Sequence, residues 1–154
     1  MNSYSIFMKA NKAWEEGNKK KAFNLLLKAA LLGEHSAQHN VGYFYDVGEG
    51  IEKNIDKALY WYKKAWRNGK QTDTCINIAQ LYLSIGKNRL AIFWLSKAIQ
   101  RGDGDAALEL AKFYLSREKN NDTTKAISLL KSIKRSKYVS EDAVNEAEIM
   151  LKKR

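Results

Sequence analysis

The sequence contains no proline, a single cysteine and no apolar run that approaches a membrane span. Each absence narrows the answer. Without proline, no position removes a backbone donor or bars a helix interior. A lone thiol, Cys75, excludes an intramolecular disulfide and gives no sign of an oxidising compartment. It stands among apolar residues at helical spacing, which is the place of a small core residue rather than a nucleophile. The stretch Met1 to Lys9 has too little apolar character for a signal peptide. With no membrane span either, the chain reads as cytoplasmic. Alternating runs of Val, Ile and Thr are missing, which speaks against strands. Acidic charge is in deficit, with 17 Asp and Glu against 27 Lys and Arg, a net +10. Such a balance suits nucleic acid, an anionic membrane or an acidic protein. The lysines scatter along the chain instead of gathering in one stripe, so they read first as a solvated exterior, and nucleic acid is disfavoured as a partner.

What is present points to helices. The chain has 154 residues and is 45% hydrophobic, with four Trp, eight Tyr and five Phe, which excludes a disordered chain and permits a real core. Ala, Leu, Lys and Glu are frequent, as helices require. A unit of about 34 residues recurs. Ala22, Ala58, Ala91 and Ala126 each open the second helix of a hairpin, and Ala29, Ala65, Ala98 and Ile133 follow seven residues later. Seven residues is about two turns, so both marks share one face and let neighbouring helices approach. Gly33, Gly69 and Gly102 come next, where a left-handed residue closes a helix at little cost. The first helices carry a matching frame in Val41-Gly42, Ile78-Ala79 and Leu110-Ala111, with Tyr45, Tyr82 and Tyr114 three residues on; Ala10 is its counterpart in the first unit. This large-small-large order suits packing between paired helices.

Asn18, Asn54, Asn88 and Asp122 each stand just before a second helix as candidate N-caps. The resulting reading is 3–15 with 20–32, 36–46 with 55–67, 72–84 with 89–101, and 105–116 with 123–135. A ninth helix over about 140–153 follows Ser140 as N-cap; Ala143, Val144, Ala147, Met150 and Leu151 form its apolar stripe, and its other face is charged. A polar outer face suits the end of a stack.

No catalytic constellation assembles from these residues. His35 and His39, four apart on one helix face, could share a metal ion. No cysteine or carboxylate pair completes the set, and the order His-Glu-x-x-His is absent. The reading therefore carries no metal, no cofactor and no enzyme. Gly48-Glu49-Gly50 lacks the Gly-Lys-Ser/Thr ending of a phosphate loop and reads as an interhelical turn. Gly102-Asp103-Gly104-Asp105 lacks the remaining ligands of a calcium loop and reads as a turn plus an N-cap. Trp61 with its neighbouring lysines suggests a base-stacking platform. Trp94 occupies the same repeat position, however, so both tryptophans read as packing residues. Lys131 to Lys137 is the densest basic segment and reads as a solvated helix end.

The stretch from Ala37 to Gly69 closely resembles a Sel1-like repeat, a relative of the tetratricopeptide repeat. The carrying parts are Gly48-Glu49-Gly50-Ile51 and Lys57-Ala58-x-x-Trp61-Tyr62-x-Lys64-Ala65. The third unit keeps Trp94, Lys97 and Ala98 behind a shorter loop. The first and fourth carry Leu25 and Leu129 at the tryptophan position and match less closely. The resemblance implies an all-α fold, a right-handed α-α superhelix of about four hairpins (about 3–33, 36–69, 72–102 and 105–136) plus a C-terminal capping helix, in a single domain over 1–154. It also implies protein binding in a concave groove lined by the first helices. By position, that groove comprises Phe7, Asn11 and Trp14, then Ser36, His39 and Tyr43, then Asp73, Ile76, Gln80 and Leu83, then Asp105, Leu108, Lys112 and Leu115. Tyr43 is the expected hot spot, with Asn11, His39, Gln80 and Lys112 as orienting polar contacts. The family further implies scaffold or adaptor work. Short, leaderless Sel1-like proteins of bacteria include immunity proteins that neutralise a toxin, and the small size of this chain fits that role. Nucleic-acid binding through the basic surface is the alternative from another class.

Overall fold

A computed structural model describes all 154 residues. Nine α-helices follow one another: α1 (Ser3–Glu15), α2 (Lys19–Leu31), α3 (His35–Val47), α4 (Ile55–Gly69), α5 (Thr72–Ser84), α6 (Asn88–Gln100), α7 (Gly104–Ser116), α8 (Asn120–Ser132) and α9 (Glu141–Lys152). A short 3-10 turn, Ile133–Arg135, extends α8. The chain divides into two compact units, Met1–Leu81 and Tyr82–Arg154.

The helix starts are written in short polar side chains. Asn18 and Asn54 accept from the backbone N–H groups of Lys21 and Lys57 at 3.1 and 2.9 Å. Asp103 and Ser140 cap α7 and α9 in the same way. Each satisfies a donor that the first turn leaves orphaned. Two expected caps are placed differently. Asn88 is the first residue of α6, which begins without a side-chain cap. The start of α8 lies at Asn120, three residues earlier than expected, where the Lys119 carbonyl accepts from the Thr123 N–H at 2.8 Å and opens the helix. Asp122 is instead buried in the first turn with its carboxylate 3.2 Å from Nε of Arg117.

Gly33 and Gly102 take the expected left-handed conformation (φ +95° and +92°). Gly69 does not: it stays helical as the last residue of α4, and Lys70 turns left-handed in its place. What Gly69 provides is clearance, since a Cβ there would fall 2.5 Å from Nδ1 of His35.

In the first unit, α1 and α2 form one hairpin and α3 and α4 a second, with α2 against α3. Alanines at the marked positions are sealed: Ala10, Ala22, Ala29 and Ala58 show no exposed surface. Between them sit Ile6, Leu26, Val41, Phe44 and Trp61. Gln38 ties three helices together. Its amide nitrogen donates to the Ala30 carbonyl of α2 at 3.0 Å, and its oxygen accepts from the Asn68 amide of α4 at 2.8 Å. Cys75 is fully buried, as its spacing predicts.

In the second unit, α7, α8, the 3-10 turn and α9 enclose Leu108, Ala111, Ala126, Leu130, Ile133, Ala143 and Ala147. The segment before α9 folds back on the start of α7: Tyr138 exchanges backbone hydrogen bonds with Gly102 and Gly104 at 2.8 and 2.7 Å. The Asp105 carboxylate then accepts from the backbone N–H and the hydroxyl of Ser140.

Candidate protein-binding groove

The candidate groove residues of the first unit are set by helical spacing. Phe7, Asn11 and Trp14 lie at i, i+4 and i+7 on α1, one stripe. On α3, Asn40 and Tyr43 share a stripe at i and i+3. The two stripes meet over an open cleft of about 210 Å³ lined by Ala10, Asn11, Trp14, Leu26, Asn40, Tyr43 and Phe44. Tyr43 is 48% exposed and Trp14 42%. Trp14 is held by an edge-to-face contact with the buried Phe44, with centroids 5.4 Å apart at 75°. The Lys19 ammonium lies 5.7 Å from the Trp14 ring centre and is itself paired with Glu49. The side-chain amides of Asn11 and Asn40 make no hydrogen bond within the protein. The cleft thus offers two aromatic rims, an apolar floor and two amides, each with donors and an acceptor available.

Of the sequence-predicted residues, Asn11, Trp14 and Tyr43 come together at this cleft. Phe7 is half-buried one turn along α1, against the core of the unit. Asp73 and Gln80 are exposed on α5, and Ile76 between them is half-buried. Asn40 went unnoticed in the sequence, although its position three residues before Tyr43 carries the signal.

His39 is half-buried and fully engaged. Its Nδ1 lies 2.9 Å from the Thr74 hydroxyl and its Nε2 3.4 Å from the Asn77 amide nitrogen. The neutral tautomer that donates from Nδ1 and accepts at Nε2 satisfies both. Burial lowers its pKa below the usual imidazole value, against an opposing pull from the Asp73 carboxylate. Its ring sits 5.3 Å from that of Tyr62. The Tyr62 hydroxyl donates to Asp46 at 3.1 Å, and burial next to that carboxylate raises its pKa far above the ordinary phenol range. His35 is turned against Gly69. The two histidines are therefore not a ligand pair, and the chain holds no group of three or more His, Cys, Asp or Glu placed for a metal ion.

The second unit corrects one expectation. Leu108 is only 4% exposed and belongs to the core with Ala143 and Ala147, because α9 packs over that side of α7. It lines no groove. Lys112 is half-buried and paired with Glu146 of α9 at 2.8 Å and with Glu109 at 3.6 Å. The Glu146 hydrogen bond is the chief reason its pKa is raised.

The sequence matches the Sel1 repeat over residues 14–34, 35–70 and 77–103, more than half of the chain. The chain belongs to the Sel1 repeat family. Sel1 repeats are protein–protein interaction modules, and the family is in general one of non-catalytic scaffolds. The first match begins at the end of α1 and takes in α2, the second spans α3 and α4, and the third runs from within α5 through α6; α7, α8 and α9 lie beyond them. Among solved structures, the Sel1 repeat protein from Oxalobacter formigenes superposes with a TM-score of 0.66 at 19% identity, over 87% of this chain and 58% of that one. The protein c5321, a protective antigen of uropathogenic Escherichia coli with a Sel1-like repeat fold, gives 0.71 at 25% identity, over 86% and 30%. A 53-residue stretch is 42% identical to the chitin synthase regulator SKT5 of Saccharomyces cerevisiae, 34% of this chain and 8% of that protein. The chain thus spans less than two thirds of each relative. The fold class is the all-α superhelical solenoid of the Sel1-like and tetratricopeptide-like repeats. No helix is long and apolar enough to cross a membrane.

Proposed function

We propose that this Sel1 repeat protein is a non-catalytic module that binds a partner protein through the first-helix face of its first unit. The anchor is the cleft between Trp14 and Tyr43. That cleft carries the reading. Two large aromatic side chains stand exposed on either side of an apolar floor, and burying them against a partner releases apolar surface. Asn11 and Asn40 are placed to hydrogen-bond the backbone of an inserted segment, which fixes its orientation. His39, Asp73, Ile76 and Gln80 extend the same reading along α3 and α5. The buried thiol of Cys75, the one cysteine of the sequence, suits work in a reducing compartment such as the cytoplasm.

The narrower reading rests on the family resemblance: the partner is a toxin domain, and binding neutralises it. Co-expression with a toxin encoded beside the gene tests this directly. Protection of the cell that is lost in Tyr43→Ala supports it, and failure to protect against any such neighbour ends it. The broader reading is tested by affinity capture from the native cell with wild type and Tyr43→Ala side by side. A partner that depends on Tyr43 supports the cleft, whereas equal recovery by both removes it.

A further inference from the structure

The two tryptophans that read as packing residues are indeed buried, but each carries an exposed aromatic beside it. On α4, Tyr60 is 56% exposed and meets Trp61 edge-to-face, centroids 5.2 Å apart at 86°. Lys64, one turn on, donates from its ammonium to the Tyr60 hydroxyl at 3.2 Å and lies 5.5 Å from the Trp61 ring centre. On α6 the arrangement recurs. Phe93 is 52% exposed and meets Trp94 at 5.8 Å and 86°. The Lys97 ammonium lies 4.8 Å from the Phe93 ring centre and 5.8 Å from that of Trp94. Each compact unit thus builds one copy of the same cluster, from residues at i, i+1 and i+4 of a second helix.

Helical spacing adds cations to each face. Arg67 lies seven residues after Tyr60 and Arg89 four before Phe93, while Lys57, three before Tyr60, holds its ammonium 5.4 Å from the Tyr45 ring centre and Asp56 stands four before Tyr60. None of Lys57, Lys64, Arg67, Arg89 and Lys97 has a carboxylate partner; the ion pairs of the protein are made by other cations. Flat rings left open to solvent beside uncompensated cations call for a ligand that is itself both flat-ringed and anionic. A single-stranded nucleic acid complements both halves, with bases for the rings and phosphates for the ammonium groups. An acidic protein segment answers only the cations.

We propose that Tyr60 with Lys64, and Phe93 with Lys97, are each a stacking platform for single-stranded nucleic acid; the first stands on α4, which contributes no residue to the Trp14–Tyr43 cleft. On binding, the ammonium turns to a phosphate while a base stacks on the exposed ring. The duplication of the cluster in two repeats suits a ligand whose own chemistry repeats.

The test is fluorescence anisotropy of the full chain with a labelled oligouridine about 15 nucleotides long. Binding at about 50 mM salt that weakens steeply by about 200 mM is expected. Tyr60→Leu and Phe93→Leu, which keep an apolar cover over the tryptophans, are each expected to weaken it about tenfold with unchanged helicity. Lys64→Gln with Lys97→Gln is expected to flatten the salt dependence. Absence of binding at low salt overturns the proposal. So does wild-type affinity in both leucine variants, since scattered charge alone would then be acting. Equal competition by polyglutamate marks the surface as one for acidic proteins, and equal binding of duplex DNA excludes stacking; either result also overturns it.

Discussion

The ring of Tyr62 lies directly on Gly42: a Cβ at position 42 would fall 2.6 Å from Cδ1 of that ring. The small residue of the repeat frame and the aromatic of the facing helix are therefore one fitted pair, and the second hairpin closes only because one of them has no side chain.

Gly42→Ala is accordingly expected to destabilise the protein, even though alanine is the better helix former. Overpacking of this kind costs about 1–3 kcal/mol, against roughly 1 kcal/mol gained in helix propensity. Since Tyr62 is also held at its hydroxyl by Asp46, the ring has little room to yield. A lower urea midpoint and melting temperature would be the readout. Restoration by Gly42→Ala combined with Tyr62→Leu would locate the clash.

Gln38→Leu removes both hydrogen bonds that join α2, α3 and α4 and leaves the Ala30 carbonyl and the Asn68 amide without them. A loss of about 1–3 kcal/mol is expected. Amide hydrogen exchange should quicken in α3 and at the end of α4.

Stability should fall as the solution is acidified through the imidazole range. The folded-state pKa of His39 is lowered, mainly by burial, below the ordinary value of 6.5. Between these two values the unfolded chain binds more protons than the folded one, so stability rises with pH there. The contribution is complete above about 6.5 and is lost progressively below it, until the folded pKa is reached. Melting curves from pH 7 to 5 should show this slope in the wild type. In His39→Gln the slope should be largely gone.

Tyr43→Ala should leave the melting temperature nearly unchanged, within about 0.5 kcal/mol, because the side chain is half exposed and makes no hydrogen bond. Partner capture should nonetheless drop. Lys112→Gln should do neither to any great extent. Its pair with Glu146 is solvent-screened and contributes less than about 1 kcal/mol, and the ammonium is already engaged within the second unit. Loss of capture in Lys112→Gln would move the binding surface away from the first unit.

Helix positions were legible because the alanine and glycine marks recur at fixed spacing and because Asn18, Asn54, Asp103 and Ser140 announce where helices begin. Most starts and ends fall within a residue or two of expectation. Asn88 and Asp122 escaped because an asparagine or aspartate near a helix start suits the cap and the first turn alike. The cleft was legible in α1 and α3, where spacing alone sorts the faces. It was not legible in α7, because the burial of Leu108 is imposed by α9, some 35 residues further on, and periodicity within one helix cannot report which side a distant helix will cover. Tyr60 and Phe93 were overlooked for a related reason. Each adjoins a tryptophan that does pack, and sequence alone does not show which of two neighbouring rings turns outward.

One ring contact in the first unit reaches beyond stability. Phe44 of α3, next in the chain to Tyr43, holds Trp14 of α1 edge-to-face, and so sets the spacing of the two aromatic rims. On the proposed reading, the cleft is a calliper set in advance, and a segment of matching width would meet it with little loss of motional freedom.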